Sequence, residues 1–254
     1  MGKKSRIMNV FPPRRKLLCP QPVFFVDLLW YNGRRKGGIC LKRENCRLPE
    51  LLQAADDAEE LLRRAAEDES TVEGYEFQNA SFSGQSLGAA EFRGCRFEGC
   101  RLTGGSLDGG FFTDVLFENC DLSNFAFQRC GFRRVEFRQC KTVGADFSES
   151  FIEHMLLESC KGRLISLVGS KLKYVLLKEC DFAEGNFEEC ALTNVEFTDC
   201  VLKRAVFLHT PLKEMDLTSD EIEGIVLSGP ELRGAVVTSL QACDLARYLG
   251  LTVK

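Results

Sequence analysis

The chain reads as an all-β solenoid built of four-sided coils. Stepping by five from Phe77 to Val237 gives 33 positions, 31 of which are Phe, Leu, Ile or Val, with only Thr142 and Gly162 departing. A helical stripe recurs at three and four residues and a half-buried strand at two, so neither ordinary period fits. The residue two before each anchor is small or compact, as at Ala90, Cys95, Cys100 and Val115. Two inward residues in every five force a corner in each unit, and four such units close a square coil. Stacked coils then require a second period of 20, and Cys100, Cys120, Cys140, Cys160, Cys180 and Cys200 supply it as one uninterrupted column. The five-residue period alone does not demand that column, which makes it independent support for four sides.

The units Cys-Asp-Leu-Ser-Asn at 120–124 and Ala-Asp-Phe-Ser-Glu at 145–149 resemble pentapeptide repeats, and the resemblance covers about two thirds of the chain. It implies a right-handed quadrilateral β-helix, here of about eight coils over residues 73–237, flanked by a short helix at each end.

Residues 1–47 form a basic arm: residues 1–48 hold 12 Lys and Arg against 2 acids, while the whole chain nets −4. Its apolar run, Val23 to Trp30, is eight residues long and interrupted by Asp27, far short of the ~20 residues that span a bilayer. No membrane span or signal peptide is expected, and the arm is expected to be disordered, in a cytoplasmic protein. Residues 48–72 turn acidic and amphipathic. Pro49 suits the first turn of a helix, and Leu48, Leu51, Leu52, Ala55, Ala58, Leu62 and Ala65 keep helical spacing. This helix is expected to cap the first coil, because an open solenoid end exposes apolar surface and unpaired backbone.

Inside the coils the column Phe77, Phe97, Phe117, Phe137, Leu157, Leu177, Phe197, Leu217 stacks large side chains at the ~4.8 Å strand spacing. Thr142 and Gly162 remove two neighbouring anchors from another column, which predicts a local defect there, filled by the bulky Met155 and Ile165 or bypassed by a surface loop that restores register; if a void exists, Gly162→Leu should raise stability. Nine of the 13 cysteines fall in the inward small-residue slots. Without a CxxC pair or an adjacent histidine, and with parallel Cβ atoms ~4.8 Å apart, they read as buried free thiols in a reducing compartment, with neither disulfide nor metal.

Residues 238–254 close the chain. Thr238 and Gln241 have capping-box spacing and Gly250 suits a helix stop. This segment resembles the ending of Qnr and Mfp-type pentapeptide proteins. The resemblance implies a homodimer through the C-terminal helix, using Ala242, Leu245, Ala246 and Leu249.

No catalytic constellation is present: His154 and His209 lie on different faces with no converging nucleophile and base. No cofactor-binding or metal motif appears either, so an enzyme is not expected. The favoured reading is a scaffold for an unidentified protein partner. Its contact patch is the outward apolar set Phe111, Leu116, Phe151, Leu156 and Leu176. The alternative, which the resemblance implies, is a DNA-mimicking modulator of a type II topoisomerase such as DNA gyrase. It would use an acidic face of Glu76, Glu98, Glu118, Glu136, Glu158, Glu196, Asp199 and Asp216. Charge weighs against it: the body from residue 73 nets −8, roughly a third of what duplex DNA carries over the same ~40 Å. Direct nucleic-acid binding is expected only of the basic arm.

Overall fold

The computed structural model describes residues 42–68 and 70–251. The chain winds as a four-sided parallel β-helix in which every rung pairs with the residue twenty positions on. On two adjoining sides the pairing is continuous: Phe111–Glu118 lies parallel to Gly131–Arg138, with Phe112 opposite Phe132 and Phe117 opposite Phe137. The other two sides are held by single bridges such as Asp121 to Lys141 and Ala126 to Asp146. Seven turns of twenty residues separate Phe77 from Leu217, and the residues up to Val237 begin an eighth.

The corners explain the five-residue register. One residue per unit adopts left-handed backbone, as at Asp114, Asn119, Asn124, Arg129 and Arg134 (φ 54–55°). A side chain in that region carries a steric cost. Here the cost is offset because the corner N–H bonds to the next coil, as Asn119 to the Arg138 carbonyl (3.0 Å) and Asn124 to that of Val143 (2.8 Å).

The anchors stack as the 20-residue column requires. The Phe77, Phe97, Phe117 and Phe137 rings lie 4.5, 4.7 and 4.8 Å apart, nearly parallel. Beside them runs the cysteine column, with all its members buried and unbridged. Each thiol donates to the carbonyl 23 residues back: Cys120 to Phe97 (3.4 Å), Cys160 to Phe137 (3.4 Å), Cys200 to Leu177 (3.2 Å). Ser150 and Ser170 make the same contact to Phe127 (2.9 Å) and Phe147 (2.7 Å). A donor in this slot is thus bonded to a carbonyl, while Val115, Val135 and Val175 fill the same slot on another side without one.

The void expected at Gly162 is not there. A Cβ on Gly162 would meet the Phe182 ring at 2.7 Å and the Thr142 Oγ1 at 2.8 Å, because Phe182, next in the column, leans into the gap. What remains is an apolar cavity of about 10 Å³ lined by Phe147, Met155, Ile165, Leu177 and Phe182 among others. The expectation that Gly162→Leu stabilises is overturned: the space belongs to a ring from the next coil.

The N-terminal cap is present but starts later than Pro49 suggested. Helix α1 spans Ala58–Asp68, and the Asp57 carboxylate accepts the Glu60 N–H (3.1 Å) at its start. Leu62 and Ala65 are buried in the core. Pro49 instead packs against Gly94, where a Cβ would lie 3.0 Å from its ring. Gln53–Ala54 adds a short strand parallel to Tyr75 and Glu76. Residues 42–47, expected to belong to a disordered arm, are ordered along the solenoid; residues 1–41 lie outside the described residues.

At the other end, helix α2 (Ser239–Leu245) has the expected capping box: the Thr238 hydroxyl accepts the Gln241 N–H, and the Gln241 side chain accepts that of Thr238. Gln241 Nε2 also donates to the carbonyls of Leu217 (2.8 Å) and Asp220 (2.9 Å), fastening the helix to the last coil. Leu245 is buried against the core.

Candidate interaction site

One lengthwise corner of the solenoid is already occupied by the chain itself. The left-handed corner residues Gly74, Gly94, Asp114, Arg134, His154 and Tyr174 form a column, and the segment from Arg43 to Gln53 runs along it as a strap. Gln53 N–H donates to the Gly74 carbonyl (2.8 Å), Pro49 sits on Gly94, and Arg47 N–H donates to Asp114 (3.0 Å). Glu44 N–H donates to His154 Nδ1 (3.1 Å), and His154 stacks on Tyr174 with ring centroids 4.9 Å apart. Burial holds the His154 imidazole below its ordinary value, against the pull of Glu44 and Glu153; the neutral ring is the form that accepts the Glu44 N–H.

Glu136 anchors the strap. Its carboxylate takes Arg43 Nη1 (3.1 Å) and the Cys46 N–H (3.1 Å) on one oxygen and Arg138 (2.8 Å) on the other. Burial pushes this carboxyl up, but the Arg138 and Cys46 hydrogen bonds and Arg43 together bring it below the usual carboxylate range. Cys46, half-buried here, has its thiol pushed up to about 12 by burial and by Glu136 and Asp114.

This strap changes the predicted apolar patch. Phe111 and Phe151 are each 57% exposed, and Leu116 is half-buried. Leu156 and Leu176, expected outward and free, are buried. Leu156 follows Glu136 in its column and stands two residues from His154, both of which the strap holds; Leu176 pairs with Leu156 one coil on. The patch therefore reduces to Phe111 and Phe151, with Leu116 at its edge.

The acidic residues do share one face, but cations thread it. Arg96 reaches Glu76 (3.2 Å), Glu98 (3.2 Å) and Glu118 (2.8 Å). Arg138 bridges Glu136 and Glu158, and Lys178 takes Glu158 (2.7 Å). Glu196 accepts the Thr198 hydroxyl (3.1 Å), and the Asp199 N–H bonds to Ser219. Asp216 accepts from Thr218.

Of the residues expected to pair two copies, Ala242 is exposed, Ala246 is half-buried, and Leu245 faces its own last coil. The Leu249 side chain lies outside the described residues. Leu240 on the same helix, not singled out from the sequence, is exposed.

Stacking also brings together groups the sequence reading passed over. Glu188, Glu189 and His209 place three potential metal-ligand atoms within 4.8 Å at an exposed corner. The signal available was the twenty-residue spacing of Glu189 and His209. Among the described residues nothing encloses the group, and no metal is assigned to it. Among the described residues no helix is long and apolar enough to cross a membrane.

The architecture is that of a repeat solenoid, its interior filled with stacked side chains and its outer surface the part open to partners. A family profile described as "Pentapeptide repeat region" matches residues 111–184, and one described as "Pentapeptide repeats (8 copies)" matches residues 76–114 and 170–208. Together they cover just over half of the chain, which belongs to the pentapeptide repeat family. Among solved structures, a trypsin-treated variant of QnrB1, a plasmid-mediated fluoroquinolone resistance protein, is 21% identical with a TM-score of 0.47, covering 73% of this chain and 95% of its own. HetL, a pentapeptide repeat protein involved in heterocyst differentiation regulation in a Nostoc cyanobacterium, is 16% identical with a TM-score of 0.27, covering 70% and 93%. Rfr23 from the cyanobacterium Cyanothece is 11% identical with a TM-score of 0.26, covering 58% and 98%. No curated protein sequence matches the chain.

Proposed function

We propose that this chain is a non-enzymatic protein-interaction scaffold whose contact surface is the side carrying Phe111 and Phe151. The observation that carries the reading is the pair of large rings, each 57% exposed, in one column on a rigid parallel sheet. Scattered exposed apolars need no explanation. Two phenylalanines aligned over Gly131 present a defined apolar site of the kind that anchors an interface. The test is affinity purification of the full chain from its native cell, alongside Phe111→Asp and Phe151→Asp variants. Both side chains point outward, so the coil should stay folded while a specific partner is lost. Unchanged capture by the variants removes this surface from the reading.

The acidic face supports DNA mimicry less well. Over the coils from Glu76 to Glu158 its carboxylates are neutralised by Arg96, Arg138, Lys178 and the strap's Arg43. A topoisomerase-directed role predicts relief of quinolone inhibition in a gyrase supercoiling assay, and no relief at any concentration discards it. For the homodimer through α2, the outward residues Leu240 and Ala242 with Ala246 are the contact we propose, because Leu245 already covers the last coil. Sedimentation of Leu240→Asp tests it: an unchanged dimer would place the contact elsewhere.

A further inference from the structure

The surroundings of Phe111 and Phe151 carry information about what binds there. The two residues stand in one outward column, separated by Gly131, and are therefore about 10 Å apart along the solenoid axis. The Phe111 ring leans over Gly131, and any Cβ there would collide with it. The glycine thus keeps the floor between the rings flat. Arg133 projects from the same rung as Gly131 on the same side of the strand, and Lys171 follows Phe151 on the next rung, its Nζ 6.0 Å from the Phe151 ring centroid.

Most cations on this side of the solenoid are already matched. Arg93 pairs with Glu91 (2.7 Å), Arg129 with Asp108, and Lys173 with Glu153 (2.8 Å). Arg133 and Lys171 make no such close pair among the described residues: Arg133 lies beside Glu153 on the next rung and lowers its carboxyl, but Lys173 holds that carboxylate, so three cations share one acid around Phe151. Positive charge is therefore in excess here, with Arg133 on the rung before the exposed Phe151 ring and Lys171 on the rung after it. A partner that lays apolar side chains on the rings must also bring negative charge to these cations, because a positive partner would meet like-charge repulsion there.

We propose that this site receives an extended acidic protein segment running across the rungs, with carboxylates four residues apart and an apolar side chain midway between them on the same face. The two cations lie two rungs apart along the axis and two residues apart along the strand, so their backbone positions are about 12 Å apart. An extended chain advances about 3.3 Å per residue and alternates its faces, so residues i and i+4, about 13 Å apart on one face, match that distance, and the side chain of i+2 on the same face meets the phenylalanine column. The proposal rests on the scaffold reading and adds the chemistry of the partner.

The experiment uses the full chain and a fluorescein-labelled peptide, Ser-Glu-Ser-Phe-Ser-Glu-Gly, followed by fluorescence anisotropy at 50 and 300 mM salt. Binding is expected to weaken at high salt, and Phe151→Asp is expected to reduce affinity at least tenfold. The decisive arm is a charge swap. The Arg133→Glu, Lys171→Glu double variant should lose the glutamate peptide and gain one in which both glutamates are lysine. Equal binding of a glutamine-substituted peptide, or no exchange of preference in the double variant, overturns the acidic assignment. Preferential binding of an oligothymidylate of similar length, or self-association abolished by Phe151→Asp, overturns it in favour of a nucleic acid or a second copy. Circular dichroism and thermal melting of each variant establish that the coils are intact. If Phe151→Asp loses a native partner by affinity purification while the charge swap fails, the scaffold reading stands and the acidic chemistry does not.

Discussion

Asp220 occupies the seventh place of the column that Cys100 to Cys200 fill, and replacing it with Asn should stabilise the protein at neutral pH. Its Oδ1 accepts the Cys200 N–H (2.8 Å), while its Oδ2 is buried without a partner. Burial raises its carboxyl to about 6 from the ordinary 3.8; the Cys200 N–H opposes the rise, and Asp199, Asp216 and Glu196 add to it. From α2, the neutral Gln241 side chain faces it through the Asp220 carbonyl. A carboxyl whose folded value is raised is most stable protonated. The penalty is therefore absent below the unfolded value, grows as pH rises between about 4 and 6, and is complete above 6. A rise of this size corresponds to about 3 kcal/mol, or roughly 6–12 °C in Tm for a domain of this size. Asp220→Asn keeps the acceptor for Cys200 and removes the charge. Thermal melts of both proteins from pH 4 to 7.5 should diverge in that sense, with the gap closing as pH falls. The difference between the two is the quantity to read, because His154, held below its ordinary value, costs both proteins stability as pH falls through about 6.5. Equal Tm values at pH 7.5 would refute a buried, uncompensated carboxylate.

Gly162→Leu should lower the urea midpoint by an amount equivalent to about 1–3 kcal/mol, and adding Phe182→Leu should recover part of the loss; an unchanged midpoint would mean that the Phe182 ring moves aside freely. Cys140→Ser should stay within about 1 kcal/mol of the parent by chemical denaturation, because serine at positions 150 and 170 already serves the same carbonyl contact; a large loss would show that sulfur packing dominates that slot. Glu136→Gln removes the charge that Arg43 pairs with, so alkylation of Cys46 followed by peptide mass mapping should be several-fold faster than in the parent. Equal rates would show that the strap does not depend on that anchor.

What the sequence made legible is what repeats. Each inward slot recurs every five residues and each column every twenty, so the aromatic stack, the thiol ladder and the corners follow from spacing. The same register carried one step beyond Cys200 arrives at Asp220, and the one-step relation between Glu189 and His209 is equally regular. Gly162 escaped that logic because the filling crosses coils: a column read residue by residue shows a missing side chain, whereas the ring tilt of Phe182 that replaces it is a rotameric choice. Pro49 misled for a related reason. Its fixed φ suits a helix start, but packing on Gly94 holds it in an extended segment, and Asp57 supplies the helix cap instead. The strap was beyond reach, since Arg43 and Glu44 find partners 93 and 110 residues away and no periodicity links them.

The strap also bears on why the Phe111 side is the one left for a partner. It takes the corner column and the seat beside Glu136 and Leu156, while intramolecular pairs occupy the carboxylates from Glu76 to Glu158. Inside, the thiols and hydroxyls of the small-residue slots are bonded to carbonyls, so they offer no reactive site. Two rings and an excess of positive charge around Phe151 remain on a sheet whose backbone is held by bonds to the coils before and after it. Binding to such a surface orders little of the solenoid itself. A flexible partner segment would bear most of the ordering cost, which predicts modest affinity for a short peptide and tighter binding when the partner presents the segment already extended.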